Sequence, residues 1–366
     1  MRNARQFVVI AMLLVPACGN ESVGNTPAGK GGSSGSAGSS VVGGTSGVST
    51  GVAGTAWGGQ TGLGGTDSAG AAGTGGGGVG SGSGGRGATG GTSGSSASGG
   101  GSGTGAVGTQ DPIIPPVNGT CPEFRSGTQT IMGLATEIVA GTPGATKGPL
   151  LFTWHGTNGS GTGALAQLPQ SVQQDIVAQG GLVIAPTDNG QVREGTDVTL
   201  ILGVWYDVGD LKYADQIVAC AVQNHNIDPR RIYVTGCSAG GLMAGAMTLQ
   251  RSKYVAAAAP NSGGTVATTG QLQDPQRVPA VFSMHGGASD TVIVNFADTT
   301  HNLENILKPS GAFLVECVHT GGHCGAPASL HELAWVFMKA HPFATKPSPY
   351  AGGLPATFPS SCTIQK

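Results

Sequence analysis

Between residues 150 and 340, short apolar runs alternate with segments whose apolar residues recur every three or four positions. The runs Leu150–Trp154, Leu182–Pro186, Ile232–Thr235, Val255–Pro260, Val278–Met284 and Ala312–Val318 are rich in Val, Ile, Leu and Ala. They lack polar alternation, as strands buried on both faces do. Between them, Ser171–Gln179, Asp210–His225, Ala239–Arg251 and Phe296–Leu307 predict helices, and a last helix is expected over Ser329–Ala340, ending before Pro342. In the second of these an acidic cap, Asp210, precedes one apolar face of Tyr213, Ile217, Val218 and Val222. This alternation predicts an α/β domain with an open, mostly parallel central sheet flanked by helices on both sides.

Ahead of that domain the composition changes. From Gly19 to Gln110, 37 of 92 residues are glycine and only Glu21, Lys30, Asp67 and Arg86 are charged. Such a stretch buries too little apolar surface to offset its ordering entropy, so residues 19–117 are expected to form a disordered, flexible linker. No Gly-X-Y period is present, which sets collagen aside. A glycine-rich coil of this length reaches roughly 50 Å on average. Before it, Arg2 and Arg5 are followed by an apolar run too short to span a bilayer, the pattern of an export signal. Its ending, Val15-Pro-Ala-Cys18, resembles a bacterial lipobox, which implies a signal peptide over 1–18 and lipidation of Cys18. The protein is therefore expected to be exported, and either lipid-anchored at the bacterial cell surface or outer membrane, or secreted.

Residues 118–366 suffice for one sizeable core. The net charge is −2 with no basic cluster, which argues against nucleic acid and against a polybasic membrane patch; membrane contact is expected through the lipid anchor only. Setting Cys18 aside leaves six cysteines in an oxidising compartment, so disulfides are expected among Cys121, Cys220, Cys237, Cys317, Cys324 and Cys362.

The candidate chemistry sits at Gly236-Cys-Ser-Ala-Gly240, directly between a predicted strand and a predicted helix. A nucleophilic serine needs a turn so tight that its flanking side chains must nearly vanish, which accounts for glycines two residues to either side. In α/β-hydrolases the chain order is nucleophile, acid, histidine. Ser238 is then the nucleophile. Asp290, after the Val278–Met284 run, is the expected acid, with Asp298 as rival. His323, after the Ala312–Val318 run, is preferred to His319 because Gly321 and Gly322 free its loop. The backbone N–H of Ala239 and that of Thr157, in the Trp154-His-Gly-Thr157 loop, are the expected oxyanion donors. Cys317, His319, His323 and Cys324 also offer zinc-type spacing, but export oxidises thiols, so neither metal nor other cofactor is expected.

Residues 226–243, Asn-Ile-Asp-Pro-Arg-Arg-Ile-Tyr-Val-Thr-Gly-Cys-Ser-Ala-Gly-Gly-Leu-Met, resemble the elbow region of secreted esterases of the polyhydroxybutyrate depolymerase and carbohydrate esterase family one type, which includes feruloyl and acetylxylan esterases. Trp154-His-Gly156, His285-Gly286 with Asp290, Gly321-Gly-His323, Trp335 and His341-Pro-Phe343 extend the likeness over most of residues 150–342. It implies an α/β-hydrolase. Thr157-Asn158 replaces the family's more usual cysteine-containing loop, which bears on the substrate. A narrower likeness is to tannases and tannase-like feruloyl esterases, where cysteines beside the catalytic serine and histidine are bonded. That resemblance implies a Cys237–Cys324 disulfide, holding the β-carbons about 4 Å apart beside the site. A local Cys317–Cys324 bridge is its rival. For the remainder, Cys121 with Cys362 is expected to tie the domain ends, leaving Cys220 with Cys317.

Only about eighteen residues, Asn261 to Val278, separate two predicted strands, too few for a large cap domain, so an open cleft is expected. Asp188, Asn189, Trp205 and Tyr206 are candidate cleft walls. The expected function is hydrolysis of esters, polymeric ones included: feruloyl or acetyl esters of polysaccharide, with polyhydroxyalkanoate depolymerisation as the alternative. A serine peptidase and a non-catalytic surface-binding domain of the same fold are weaker readings. The chain is assumed monomeric.

Overall fold

The computed structural model describes residues 110–189 and 208–366. The expected signal peptide, Cys18, most of the expected linker and the wall candidates Trp205 and Tyr206 lie outside the described residues.

The elements follow the chain as β1 (Gly127–Ile131), β2 (Leu134–Ala140), β3 (Gly148–Trp154), α1 (Gly161–Gln167), α2 (Gln170–Ala178), β4 (Leu182–Pro186), α3 (Val208–Asn224), β5 (Ile227–Cys237), α4 (Ala239–Gln250), β6 (Ala257–Asn261), β7 (Ala280–His285), β8 (Thr291–Val292), β9 (Val294–Asn295), α5 (Phe296–Leu307), β10 (Leu314–Val318), α6 (Ala328–Ala340) and β11 (Cys362–Gln365). Among the described residues, nine strands form one sheet in the order β1-β2-β4-β3-β5-β6-β7-β10-β11. From β4 to β10 every neighbouring pair is parallel, whereas β1, β2 and β11 join antiparallel at the two edges.

All six expected strands and all five expected helices are present, Leu182–Pro186 and Phe296–Leu307 with the expected ends and the others with shifted ones. In β3 every residue is buried. Leu150, Phe152 and Trp154 face the core beneath α3, α4 and α5, while Leu151 faces the second core beneath α2 and α6. A sheet covered on both faces gives such apolar runs because each side of the pleat meets a helix. α4 is buried along nearly its whole length and is apolar all round, as a helix at the centre of the layer must be.

The edge strands and α1 go beyond the sequence reading. β1 and β2 pair through the two-residue turn Met132-Gly133, both at positive φ, as two-residue hairpins require. The packed chain also begins earlier than residue 118. The Ile113 N–H donates to the Lys253 carbonyl at 2.8 Å, Arg230 pairs with Asp111 at 3.1 Å, and Ile114 and Val117 pack on the core. Residues 110–117 therefore lie on the domain rather than in a linker.

Three disulfides join the six cysteines: Cys121–Cys220, Cys237–Cys324 and Cys317–Cys362. The expected Cys121–Cys362 and Cys220–Cys317 pairs are thus corrected. Cys317 and Cys362 stand directly opposite in the β10–β11 ladder, with Cα atoms 4.0 Å apart, while Cys121 meets Cys220 on α3. Cys317 and Cys324 are therefore unavailable as zinc thiolates, and the local Cys317–Cys324 bridge does not form.

Among the buried polar groups that lack a hydrogen-bond partner within the described residues, Glu304 has both of its side-chain oxygens unpaired. It lies on α5 and is 1% exposed. Burial, reinforced by the negative charge of Glu316, pushes its carboxyl up from 4.5 to about 7. The folded chain then holds this proton to higher pH than the unfolded chain. Its contribution to stability is accordingly lost as pH rises from about 4.5 through about 7, a change on the order of 3 kcal/mol. Glu304→Gln is expected to flatten the thermal-stability profile over that window and to raise Tm at pH 8 but not at pH 4. An unchanged profile, followed by calorimetry, would refute the assignment.

Candidate active site

β5 ends at Cys237 and α4 begins at Ala239, so the reversal from strand to helix falls on the single residue Ser238. Its backbone lies at φ 56°, ψ −121°, a region that side-chain-bearing residues seldom occupy. The flanking glycines are required by contact. A β-carbon on Gly240 would stand 2.0 Å from the Trp154 carbonyl oxygen, and one on Gly236 would stand 2.5 Å from that of Gly240. The elbow is thus pressed directly against the end of β3. The Ser238 N–H donates to the Asn261 carbonyl at 3.1 Å, which fixes the turn to the end of β6.

The loop after β3 lies beside this serine. A β-carbon on Gly156 would come within 3.2 Å of Ser238 Cβ, so glycine here lets the loop approach the hydroxyl. Thr157 follows, exposed, in that same loop. The loop is fastened by His155, whose Nε2 accepts the Asp188 N–H at 3.0 Å. That leaves the proton on Nδ1, which donates to the Gly156 carbonyl at 2.6 Å. Burial lowers the His155 pKa, which keeps the ring neutral and this tautomer in place. Asp188 therefore serves as a backbone anchor for the loop. Asn189 is exposed at the margin of the described residues.

Asp290 follows β7 and is fully buried, and its Oδ1 lies 2.7 Å from His323 Nδ1. Its other oxygen accepts the Gly286 N–H at 2.9 Å and the Ser262 hydroxyl at 2.7 Å. Desolvation alone would raise this carboxyl's pKa. The Gly286, Ser262 and His323 donors outweigh it, and the pKa lies below the usual value. With His323 Nδ1–H given to Asp290, Nε2 keeps its lone pair. The ring packs on Phe296, centroids 4.7 Å apart. Asp298 stands exposed in the first turn of α5, and His319 is buried with Nε2 3.4 Å from Asn261 Oδ1. Neither rival is bonded to the Asp290–His323 pair.

The Cys237–Cys324 disulfide, Cα atoms 5.7 Å apart, joins the residue before Ser238 to the residue after His323. Two further residues reinforce that bridge, and sequence reasoning missed both. Asn261 donates from Nδ2 to the Cys324 carbonyl at 3.3 Å while its own carbonyl holds the elbow. The Ser262 hydroxyl accepts the Cys324 N–H at 2.8 Å and donates to Asp290. The only signal in the sequence is a polar pair immediately beyond a wholly apolar strand, where in a parallel α/β sheet the crevice lies.

The comparisons with known proteins agree with this architecture. Residues 170–292, from α2 through β8, match the model of the prolyl oligopeptidase family. Over 163 residues the chain is 28% identical to the bifunctional acetylxylan esterase/xylanase XynS20E of Neocallimastix patriciarum, covering 44% of this chain and 22% of that protein. Over 67 residues it is 39% identical to poly(3-hydroxyalkanoate) depolymerase C of Paucimonas lemoignei, 16% of each chain. The chain thus spans about a fifth or less of the curated relatives it matches. Among solved structures, native pOPH superimposes with a TM-score of 0.51 at 19% identity, over 67% of this chain and 96% of that one. Sheet order, strand-to-helix elbow and structural likeness together give the conclusion that this chain has the α/β-hydrolase fold.

Proposed function

We propose that the protein is an exported serine hydrolase of carboxylic esters. Ser238 is its nucleophile, His323 its general base and acid, and Asp290 the carboxylate that fixes the histidine. The observation that carries this reading is the hydrogen bond between buried Asp290 and half-buried His323, tied to the residue next to Ser238 by a disulfide. In the forward step Ser238 Oγ attacks the ester carbonyl and passes its proton to His323 Nε2. The imidazolium so formed is stabilised by Asp290, which stays ionised. The tetrahedral oxyanion is held by the backbone N–H groups of Ala239, at the start of α4, and of Thr157. Collapse expels the alcohol, which takes the proton from His323, and leaves an acyl-enzyme. Water activated by His323 then releases the acid and restores Ser238.

The likeness to an acetylxylan esterase and to a polyhydroxyalkanoate depolymerase supports a reading of the substrate class. We favour feruloyl or acetyl esters of polysaccharide, with polyhydroxyalkanoate as the alternative. Lipidation at Cys18, followed by the glycine-rich segment, would let the domain sample insoluble polymer around the cell surface. The match to the prolyl oligopeptidase family keeps a peptidase as the second reading. The test sets p-nitrophenyl acetate and butyrate, methyl ferulate, suspended polyhydroxybutyrate and a peptide amide side by side, with fluorophosphonate labelling of the same preparation. Labelling with ester turnover is the expected result. Preference for the amide would replace esterase by peptidase, and absence of labelling would remove the serine mechanism altogether.

A further inference from the structure

The site leaves one buried pair of titratable side chains unused. His285, the last residue of β7, is 2% exposed, and its Nε2 lies 2.8 Å from Glu316 Oε1 on the neighbouring strand β10. In the β7–β10 register His285 stands opposite Val318, so Glu316, two residues earlier, points to the same face of the sheet. On the other side of the imidazole, Nδ1 accepts the Gly287 N–H at 3.0 Å. An accepting Nδ1 places the ring proton on Nε2, where it is given to Glu316. Glu316 also meets His301 Nε2 at 2.8 Å and accepts from Gln365 at 2.8 Å through its second oxygen. These donors, His285 foremost, overcome desolvation and hold its carboxyl below the usual carboxylate range. His285, His301 and Glu316 are the ligand types of a zinc site. The Gly287 N–H nevertheless keeps the proton on the nitrogen that such a metal would need.

What His285 touches is the backbone that carries Asp290. Gly286 N–H donates to Asp290 Oδ2, the Asp290 N–H donates to the Gly287 carbonyl at 3.0 Å, and the His285 carbonyl accepts the His319 N–H at 3.0 Å. A β-carbon on Gly286 would stand 2.8 Å from the Gly322 carbonyl oxygen, so this turn also abuts the loop bearing His323. We infer that Glu316 and His285 form a positioning relay, in which the Glu316 carboxylate fixes the imidazole, and the imidazole fixes the 286–290 turn so that Asp290 presents Oδ1 to His323. Neither residue touches the substrate. The inference rests on the Ser238–His323–Asp290 reading given above.

The test compares Glu316→Ala, Glu316→Gln, His285→Gln and His301→Ala by kcat, KM and Tm, with a proton NMR spectrum of each. Glu316→Ala leaves the His285 proton without its acceptor, and kcat is expected to fall about tenfold or more with KM within about twofold. Glu316→Gln retains an acceptor oxygen and should recover most of that loss. His285→Gln reaches Glu316 but abandons the Gly287 N–H, and should lower kcat as Glu316→Ala does. His301→Ala, on the exposed side of the same carboxylate, should leave kcat within about twofold. A low-field resonance of His323 Nδ1–H is expected in the wild type, and it should shift or broaden in Glu316→Ala and His285→Gln. That signal reads the relay even if the wild type hydrolyses no ester, an outcome that would sink the proposed function by itself. Wild-type kcat with an unaltered resonance in Glu316→Ala and His285→Gln, or an equal loss in His301→Ala, would overturn the relay.

Discussion

Ser238→Ala is expected to lose at least about 10⁴-fold in kcat and all covalent labelling, while remaining as stable as the wild type. The stability half of this prediction comes from the backbone. Ser238 is held at φ 56°, ψ −121° by the Asn261 carbonyl on one side and by the close approach of Gly240 to Trp154 on the other. Holding a non-glycine residue there costs of order 1–3 kcal/mol, and alanine bears the same cost. Glycine does not. Ser238→Gly loses about 0.5–1 kcal/mol through its freer unfolded chain, yet gains more by relief of strain. Both variants should be inactive, and Tm should rank glycine above alanine. A glycine variant less stable than the alanine one would show that the elbow is not strained.

Asp290→Asn is expected to cost about 10⁴-fold in kcat for a different reason. Asp290 receives donors on both oxygens, and an amide can replace only one of them as acceptor. If the new NH₂ faced Gly286, two N–H groups would be opposed, and a backbone donor cannot reverse. His323 can, by moving its proton from Nδ1 to Nε2. The amide nitrogen is therefore expected to turn toward His323 and stabilise the tautomer that cannot accept the Ser238 proton. Loss of activity, and ¹⁵N shifts that place the His323 proton on Nε2, would bear this out; an Nδ1-protonated ring would refute it. The carboxylate also contributes to stability. Its folded pKa lies below the usual 3.8, so that contribution is complete above about 3.8 and is lost as pH falls through the folded value. Asp290→Asn should remove this acid-side loss.

The parts of this molecule legible in its sequence are those where one physical demand acts alone. β3 to β7 and β10 are covered by helices on both faces, and the mainly apolar runs within them, Leu182–Pro186 most clearly, say so. β2 is covered on one face only, with burial alternating at Leu134, Thr136 and Ile138, so an unbroken-run criterion passes over it. β11, Cys-Thr-Ile-Gln at an edge, fails the same way. Without β11 nothing in the sequence places Cys362 opposite Cys317, so the expected Cys121–Cys362 pair gives way to Cys317–Cys362. The short α1 was passed over although Ser160 caps it by accepting the Gly163 N–H at 3.1 Å, since two glycines dilute its helical pattern. At the site, Ser238, Asp290 and His323 can be proposed from the sequence because the chemistry of a serine hydrolase would fix their order along the chain. Asn261, Ser262, His285 and Glu316 act through hydrogen bonds between distant segments, and no spacing announces them.

The Cys121–Cys220 bridge also determines how the domain bears load. A pull along the chain ahead of residue 110 would first strip the Asp111–Arg230 pair, the Ile113–Lys253 hydrogen bond and the Asn118–Gln216 contact. It would then stop at a covalent bond. From Cys121 the force passes sideways into α3, through a cysteine with no exposed surface, and so bypasses the β1–β2 hairpin that would otherwise peel from the sheet edge. Tension arriving at residue 110 is therefore carried past the sheet edge into α3, and the strand-to-helix turn at Ser238 is spared it.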